Sequence, residues 1–310
     1  MSLSSVSHED SSPRRLAFVG LGRAAGLSLA ALDDRDDIVI VGGVDPRGVE
    51  AMTRLPSTAP VVGRSEELPS FDIAIVATPT PSHVEDCRRL FGHCEGGELI
   101  LCEKPLALVS GEAEALFADA RSAGVELRVL LHYAYAPEVL WARRRLGIEP
   151  PVESFAAYFR DPYGEGLFER AAVLGTSWVD LGVNALSVLE RLVTLETADP
   201  LRSSIQLGVV RVGFSAAGGM GEGTIMTAWG DGDPVKRTSL RLRDGPRVDL
   251  DHVRGSVSVD GRELYRSRGQ PISERYRTML AAHLDGSELV HTNAATIDLH
   301  RVLAAGDIGR

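Results

Sequence analysis

The sequence predicts an α/β protein in two parts: a doubly wound parallel sheet, then an α+β region built on an open, mainly antiparallel sheet. Three observations predict it. From residue 14 to about 132, short β-rich runs alternate with segments of helical spacing, the rhythm of a parallel sheet covered on both faces. Beyond 132 the rhythm changes, and from about 204 to 259 strand-like runs follow one another with Gly, Asp and Pro turn signals between them and no intervening helices, as in antiparallel meanders. Hydrophobic residues are 44% and charged residues 25% of the 310, enough apolar material for a packed core and too balanced for a disordered chain.

The first part is predicted to place strands at 16–20, 38–44, 60–62, 72–76, 98–102 and 125–131. Helices fall between them at 24–32, 47–55, 82–94 and 111–123. Ser82 and Ser110 stand where N-caps would, and Gly124 follows its helix as a stop. In the second part, helices are predicted at 137–146, 180–192, 272–284 and 294–304. Its strands are expected at 152–159, 204–214, 223–229, 236–242, 248–251 and 256–259. Residues 1–13 lack the apolar core of a secretory leader and read as a frayed tail.

The formal net charge is −10, which disfavours nucleic acid as a partner, since duplex binders carry a basic face. The longest apolar runs, such as Ile38–Val44, are far too short to span a bilayer. Cys87, Cys94 and Cys102 show no CxxC spacing, so neither a disulfide framework nor a structural zinc site is expected, and no metal. They read as small buried residues of a reducing compartment, and the cytoplasm is the expected location.

The first strand runs into Gly20-Leu21-Gly22-Arg23-Ala24-Ala25. Gly20 permits a tight turn, Gly22 lets a pyrophosphate approach the backbone, and Ala25 allows close helix–strand contact. The helix that opens at Arg23 and Ala24 supplies oriented N–H donors. Asp45 ends the second strand, where an acid can accept hydrogen bonds from an adenosine ribose. Arg47 could instead attract a 2′-phosphate, so NAD is the favoured cofactor and NADP stays open. The organisation is therefore a tail over 1–13, a dinucleotide-binding Rossmann domain over 14–132, and a second, α+β domain over 133–310.

After the fourth strand comes Ala77-Thr78-Pro79-Thr80-Pro81-Ser82-His83, and the fifth ends in Cys102-Glu103-Lys104-Pro105. Here the chain resembles the glucose–fructose oxidoreductase / inositol dehydrogenase (Gfo/Idh/MocA) family, in which a TPxxxH-type loop and an EKP tripeptide follow successive strands. Asp180-Leu181-Gly182-Val183-Asn184 stands where that family usually shows DxGxH. The resemblance implies Thr78, Pro79, His83, Glu103 and Lys104 at the nicotinamide cofactor, and a cis Lys104–Pro105 bond. It also implies a catalytic set of Lys104, Asp180 and Asn184. Asn in place of the usual His cannot titrate near neutrality, so proton handling passes to Lys104 or Asp180. A partly desolvated Lys104 near a nicotinium ring is expected to have a lowered pKa.

The string GVNALSVL is similar to the bacterial D-galactose and L-arabinose 1-dehydrogenase branch, in which His132 would contact substrate. The expected reaction is oxidation of an aldose or related polyol by hydride transfer to nicotinamide. Two other readings stay open: a carbonyl, imine or cyclitol oxidoreductase of the same family, and a cofactor-bound regulator without turnover. The open sheet has a face that needs cover, and in the family such faces pair between subunits, so the resemblance implies that the 133–310 domain binds substrate and assembles a homodimer or homotetramer.

Overall fold

The computed structural model describes residues 12–145, 152–163, 167–216, 219–287 and 291–307; most of the 1–13 tail lies outside them. The first sheet contains β1 (Arg14–Val19), β2 (Ile38–Val44), β3 (Val61–Val62), β4 (Ile73–Val76), β5 (Leu99–Glu103) and β6 (Glu126–Leu130). All are parallel, in the order β3-β2-β1-β4-β5-β6. Every residue of β4 and β5 is buried, as helices on both faces require. Those helices include α1 (Arg23–Ala31), α2 (His83–Phe91) and α3 (Ser110–Ser122). Strand order reverses between β1 and β4, which opens a crevice beyond their carboxyl ends.

The chain leaves β6 through a short helical turn, His132–Tyr135, and α4 (Pro137–Arg145). Next come β7 (Val152–Asp161), α5 (Leu167–Leu174), and a widened π-type turn at Trp178–Gly182 that continues into α6 (Val183–Glu190). The strands β8 (Thr194–Ser203), β9 (Leu207–Ala216), β10 (Gly219–Trp229), β11 (Val235–Leu242), β12 (Arg247–Asp251), β13 (Ser256–Val259) and β14 (Arg262–Arg266) follow. With β7 they form an eight-stranded sheet, β14-β13-β12-β11-β7-β10-β9-β8, antiparallel except where β10 pairs with β7. One face of the sheet carries buried side chains such as Phe155, Phe159, Thr238 and Leu240; α6, buried from Val183 to Leu189, lies in the same core.

The last helices, α7 (Pro271–Leu284) and α8 (Asn293–Ala305), return to the first sheet. Arg14 donates to the Leu284 carbonyl at 3.1 Å, and the Leu106 N–H donates to His300 Nε2 at 2.9 Å. This return ties the two sheets into one frame and fixes the cleft between them.

Four expectations need correction. Residues 47–55 form only a single turn, Gly48–Glu50. Gly48 sits at φ +57°, outside the helical region, and the Thr53 N–H is drawn to the Leu21 carbonyl at 2.8 Å. Ser82 and Ser110 make no capping hydrogen bond; Ser110 is already the first residue of α3. The strand placed at 204–214 begins at Leu207, and the preceding β8 was not foreseen: it is a largely exposed polar strand carrying Pro200, at the sheet edge. β14 and α5 were likewise unforeseen.

Candidate active site

At the end of β1 the chain turns at Gly20 with φ +87°. A Cβ there would lie 2.8 Å from the backbone of Ala77 and Thr78 at the end of β4, so glycine is what lets these strand ends meet. Gly22 differs: a Cβ would meet nothing within 4 Å, which leaves open space over the start of α1. The Thr53 hydroxyl donates to the Gly22 carbonyl at 2.7 Å and holds the loop in shape. Thr78 donates to Asp86 at 2.7 Å and pins the opposite wall.

All eleven residues that the sequence nominates for the cofactor line one cavity of about 1120 Å³, and so does His132. One end of it is built on Asp45, which is 3% exposed. Asp45 Oδ2 accepts from the Leu21 N–H at 3.0 Å and Arg47 Nη2 at 2.8 Å. Oδ1 accepts from the Arg47 N–H at 3.0 Å and Arg47 Nε at 2.9 Å. The Arg47 side chain, with the backbone N–H donors behind it, holds the carboxyl down at about 2 against the opposing effect of burial. Both oxygens are thus fully engaged, and any further donor must displace Arg47 to use them. An open glycine loop at a helix N-terminus and a buried acid one strand away fit a dinucleotide.

The far end holds Lys104, after β5. Its Nζ donates to Asp180 Oδ1 at 2.9 Å and to the Asp180 carbonyl at 3.1 Å; the two side chains are 14% and 9% exposed. Burial opposes the ammonium, but the Asp180 carboxylate and its hydrogen bond prevail, with help from Glu103, and the pKa is raised. That corrects the expected lowering: the carboxylate outweighs desolvation. An ammonium has three N–H donors, and Asp180 takes two, leaving one for another acceptor.

Asp180 sits within the π-type turn, a feature often found at functional sites, and stands behind Lys104, outside the cavity lining. Asn184, one turn on, is 5% exposed, and its Nδ2 donates to the Asp180 carbonyl at 3.2 Å. The structure therefore brings Lys104, Asp180 and Asn184 together, with Asn184 acting on the backbone that carries the acid.

Three further groups complete this end. Glu103 is buried and accepts from the Tyr276 hydroxyl at 2.8 Å and from the Lys104 N–H at 3.2 Å; burial pushes its carboxyl up against those donors. His83 is a brace: Nδ1 lies 2.8 Å from the Pro105 carbonyl and Nε2 2.8 Å from the Thr78 carbonyl, across the cis Lys104–Pro105 bond. His132 stacks on Tyr276 at 5.2 Å. Burial holds its imidazole neutral, reinforced by Lys104, Arg275 and Lys236. Its Nδ1 has no hydrogen-bond partner among the described residues.

The sequence reading missed Tyr276, Asp161 and Lys236. Lys236 Nζ bonds Asp161 at 2.8 and 3.0 Å beside the Tyr133 ring. The alternation in β11 carried a signal, because Lys236 shares parity with buried Thr238, Leu240 and Leu242. Among the described residues, no group of three or more His, Cys, Asp or Glu is placed to hold a metal ion, and no helix is long and apolar enough to cross a membrane.

Residues 14–131 match the Gfo/Idh/MocA oxidoreductase family, NAD-binding Rossmann fold. That match covers the first sheet and its helices. No curated protein matches the sequence. Solved structures share the whole architecture at low identity. GenD2 from gentamicin A biosynthesis, in complex with NAD, is 21% identical with a TM-score of 0.73, covering 98% of this chain and 96% of that one. A myo-inositol dehydrogenase from Corynebacterium glutamicum is 17% identical at TM-score 0.72, covering 94% of each chain. A biliverdin reductase from Synechocystis, with biliverdin and NADP+, is 15% identical at TM-score 0.67, covering 94% and 98%. At these identities the likeness concerns the fold, and the substrates differ widely. The Gfo/Idh/MocA match ends at residue 131, so Asp180, Asn184 and the second sheet lie beyond it.

Proposed function

We propose that the chain is an NAD-dependent oxidoreductase that interconverts an alcohol and a carbonyl on an aldose or related polyol. One observation carries the reading: a buried ammonium, held at 2.9 Å by Asp180, closes the far end of the cavity that begins at the glycine loop. When bound, the nicotinamide supplies the hydride acceptor. Gly20, Gly22 and the start of α1 seat its pyrophosphate, and Asp45 takes the adenosine ribose. Thr78, Pro79 and Glu103 flank the ring end.

The chain's own residues handle the proton. Lys104 uses its remaining N–H to hold the substrate oxygen. During oxidation it passes one ammonium proton to Asp180 Oδ1 as it receives the hydroxyl proton, so the released proton ends on the carboxylate. Asn184 steadies the Asp180 backbone. A positioned acid–base group of this kind contributes about 10²- to 10⁴-fold, and alignment of the reacting carbon supplies much of the rest.

A second reading is favoured by the raised pKa of Lys104. A protonated lysine at rest is a ready acid, suited to donating to a carbonyl or imine in the reductive direction. Arg47 supports use of NADP beside NAD, because the guanidinium that leaves Asp45 could pair with a 2′-phosphate. The GVNALSVL string and His132 support a sugar 1-dehydrogenase specificity. Exposed Met220 and Met226 on β10 and Leu201 on β8 support pairing of the outer sheet face in a homodimer or homotetramer, which sedimentation would test.

The deciding experiment is a panel of aldoses, cyclitols and ketones with NAD and NADP, followed at 340 nm in both directions. Turnover of an aldose or polyol supports the first reading, and NADH oxidation by ketones alone supports the second. Cofactor binding without turnover on any substrate contradicts both and favours a regulator.

A further inference from the structure

Beyond residue 132, the described part of the chain gives the cavity only four side chains: Val173 and Leu174 at the end of α5, and Ile272 and Tyr276 on α7. Three of these carry no polar atom, and Tyr276 already gives its hydroxyl hydrogen to Glu103 at 2.8 Å. The polar groups around them are spent as well. Both oxygens of Glu103 are occupied, both ring nitrogens of His83 face carbonyls, and the Thr78 hydroxyl donates to Asp86. What remains at this end to bond a substrate is the third N–H of Lys104 and the neutral imidazole of His132.

The local backbone brings the apolar groups to Lys104. Gly175 ends α5 at φ +81°, and its N–H closes onto the Ala171 carbonyl at 2.9 Å. Asp180, which holds Lys104, donates its N–H to the Thr176 carbonyl at 3.0 Å, so Val173 and Leu174 stand just ahead of the turn that carries the acid. α5 also packs against the Thr80–Ser82 turn. On the other side, Ile272 lies one helical turn before Tyr276 on the same face of α7, and Tyr276 reaches the residue next to Lys104. Val173 is 40% exposed, and among the described residues it is the one large exposed apolar side chain in the cavity wall.

A hydroxyl set against such a wall loses its water and gains no partner, a penalty that an apolar edge avoids. A fully hydroxylated sugar presents hydroxyls on all sides, more than Lys104 and His132 can satisfy. We infer that the substrate is a polyol poor in hydroxyls, with its reacting carbinol at Lys104 and a deoxygenated or alkyl-capped edge against Val173, Leu174 and Ile272. These three residues determine specificity by what they cannot hydrogen-bond. The inference rests on the polyol reading above and narrows it to a class of substrate.

The test uses two matched pairs with NAD: 6-deoxy-D-galactose against D-galactose, and trans-cyclohexane-1,2-diol against myo-inositol. Wild type is expected to favour the member with fewer hydroxyls in at least one pair by roughly 10- to 100-fold in kcat/KM, the discrimination an apolar pocket gives against an added hydroxyl. Val173→Thr keeps the shape of a half-exposed side chain and adds one hydroxyl to the wall. It is expected to narrow that preference by roughly three- to tenfold with NAD affinity unchanged, and Ile272→Thr is expected to do the same from the other side. A preference for the fully hydroxylated member in both pairs, or none in either, overturns the inference while leaving the polyol reading standing. So does a preference that neither variant narrows; if NAD affinity falls instead, the wall belongs to the cofactor. If no member of either pair is turned over or raises the Tm with NAD present, the polyol reading itself falls, and this one with it.

Discussion

Replacing Asp180 by asparagine keeps the shape of the side chain and removes its charge. Lys104 then retains the Asp180 carbonyl at 3.1 Å but loses the carboxylate at 2.9 Å, in a place where its side chain is 14% exposed. Breaking one side of a buried pair costs about 3–5 kcal/mol. The lysine can escape by giving up its proton, which from its ordinary pKa of 10.5 costs about 5 kcal/mol at pH 7 and sets a ceiling of the same size. Lys104→Met leaves Asp180 unpaired and should cost a similar amount. The double variant Lys104→Met/Asp180→Asn removes both charges and should recover most of either single loss. Urea denaturation of the four proteins measures this directly, and a coupling of about 3 kcal/mol or more is expected.

The pH dependence has a definite sign. In the wild type the folded pKa of Lys104 is raised, so its stabilisation is whole below pH 10.5 and is lost as pH rises through the folded value. In Asp180→Asn burial acts unopposed by the carboxylate, so the deficit is greatest at neutral pH and shrinks toward pH 10. Single losses that add in the double variant to within 0.5 kcal/mol or so would refute the pairing.

Other consequences separate the parts of the cleft. Gly20→Ala forces a Cβ against the backbone at 2.8 Å and should lower Tm and abolish NAD binding together, whereas Gly22→Ala, with nothing within 4 Å, should keep Tm and weaken only NAD, as calorimetry would show. Arg47→Ala should reduce NADP affinity at least tenfold relative to NAD, by fluorescence titration. The same change raises the Asp45 carboxyl from about 2, so stability that the wild type holds above pH 3.8 and loses toward pH 2 is reduced throughout. His300 is held at about 4 and His283 at about 3, chiefly by burial. Their stabilising effect is present above pH 6.5 and lost as pH falls toward those values, so wild-type stability should drop by about 1.4 kcal/mol per pH unit for each histidine; a flat profile between pH 6 and 4 would contradict it.

The fold was legible where burial on two faces wrote continuous apolar runs, as in β4 and β5, found at Ile73–Val76 and Leu99–Glu103 where 72–76 and 98–102 were expected. It was illegible where tertiary contacts overrode spacing. Residues 47–55 carry helical periodicity, yet the Thr53–Leu21 hydrogen bond and the Arg47–Asp45 pair pull them onto the glycine loop. β8 is a largely exposed edge strand, so its polar sequence gave no alternation to read. At the site, Gly20, Asp45, Thr78 and Lys104 clustered because each follows the end of a strand in a predictable sheet. Asp161, Lys236 and Tyr276 come from strands and a helix far apart in sequence, and only the packing of the two sheets brings them near the cleft. The Lys104 pKa went the other way because the strength of Asp180's grip depends on a distance no sequence records.

The central claim is that the Lys104 amine moves the proton while the glycine loop and Asp45 hold the cofactor. Lys104→Met separates these roles when NAD affinity and the rate of NADH formation at 340 nm are measured on the same protein. The account predicts wild-type NAD affinity with turnover reduced at least a hundredfold, in line with the loss of a positioned acid–base group. Wild-type turnover in Lys104→Met would contradict it.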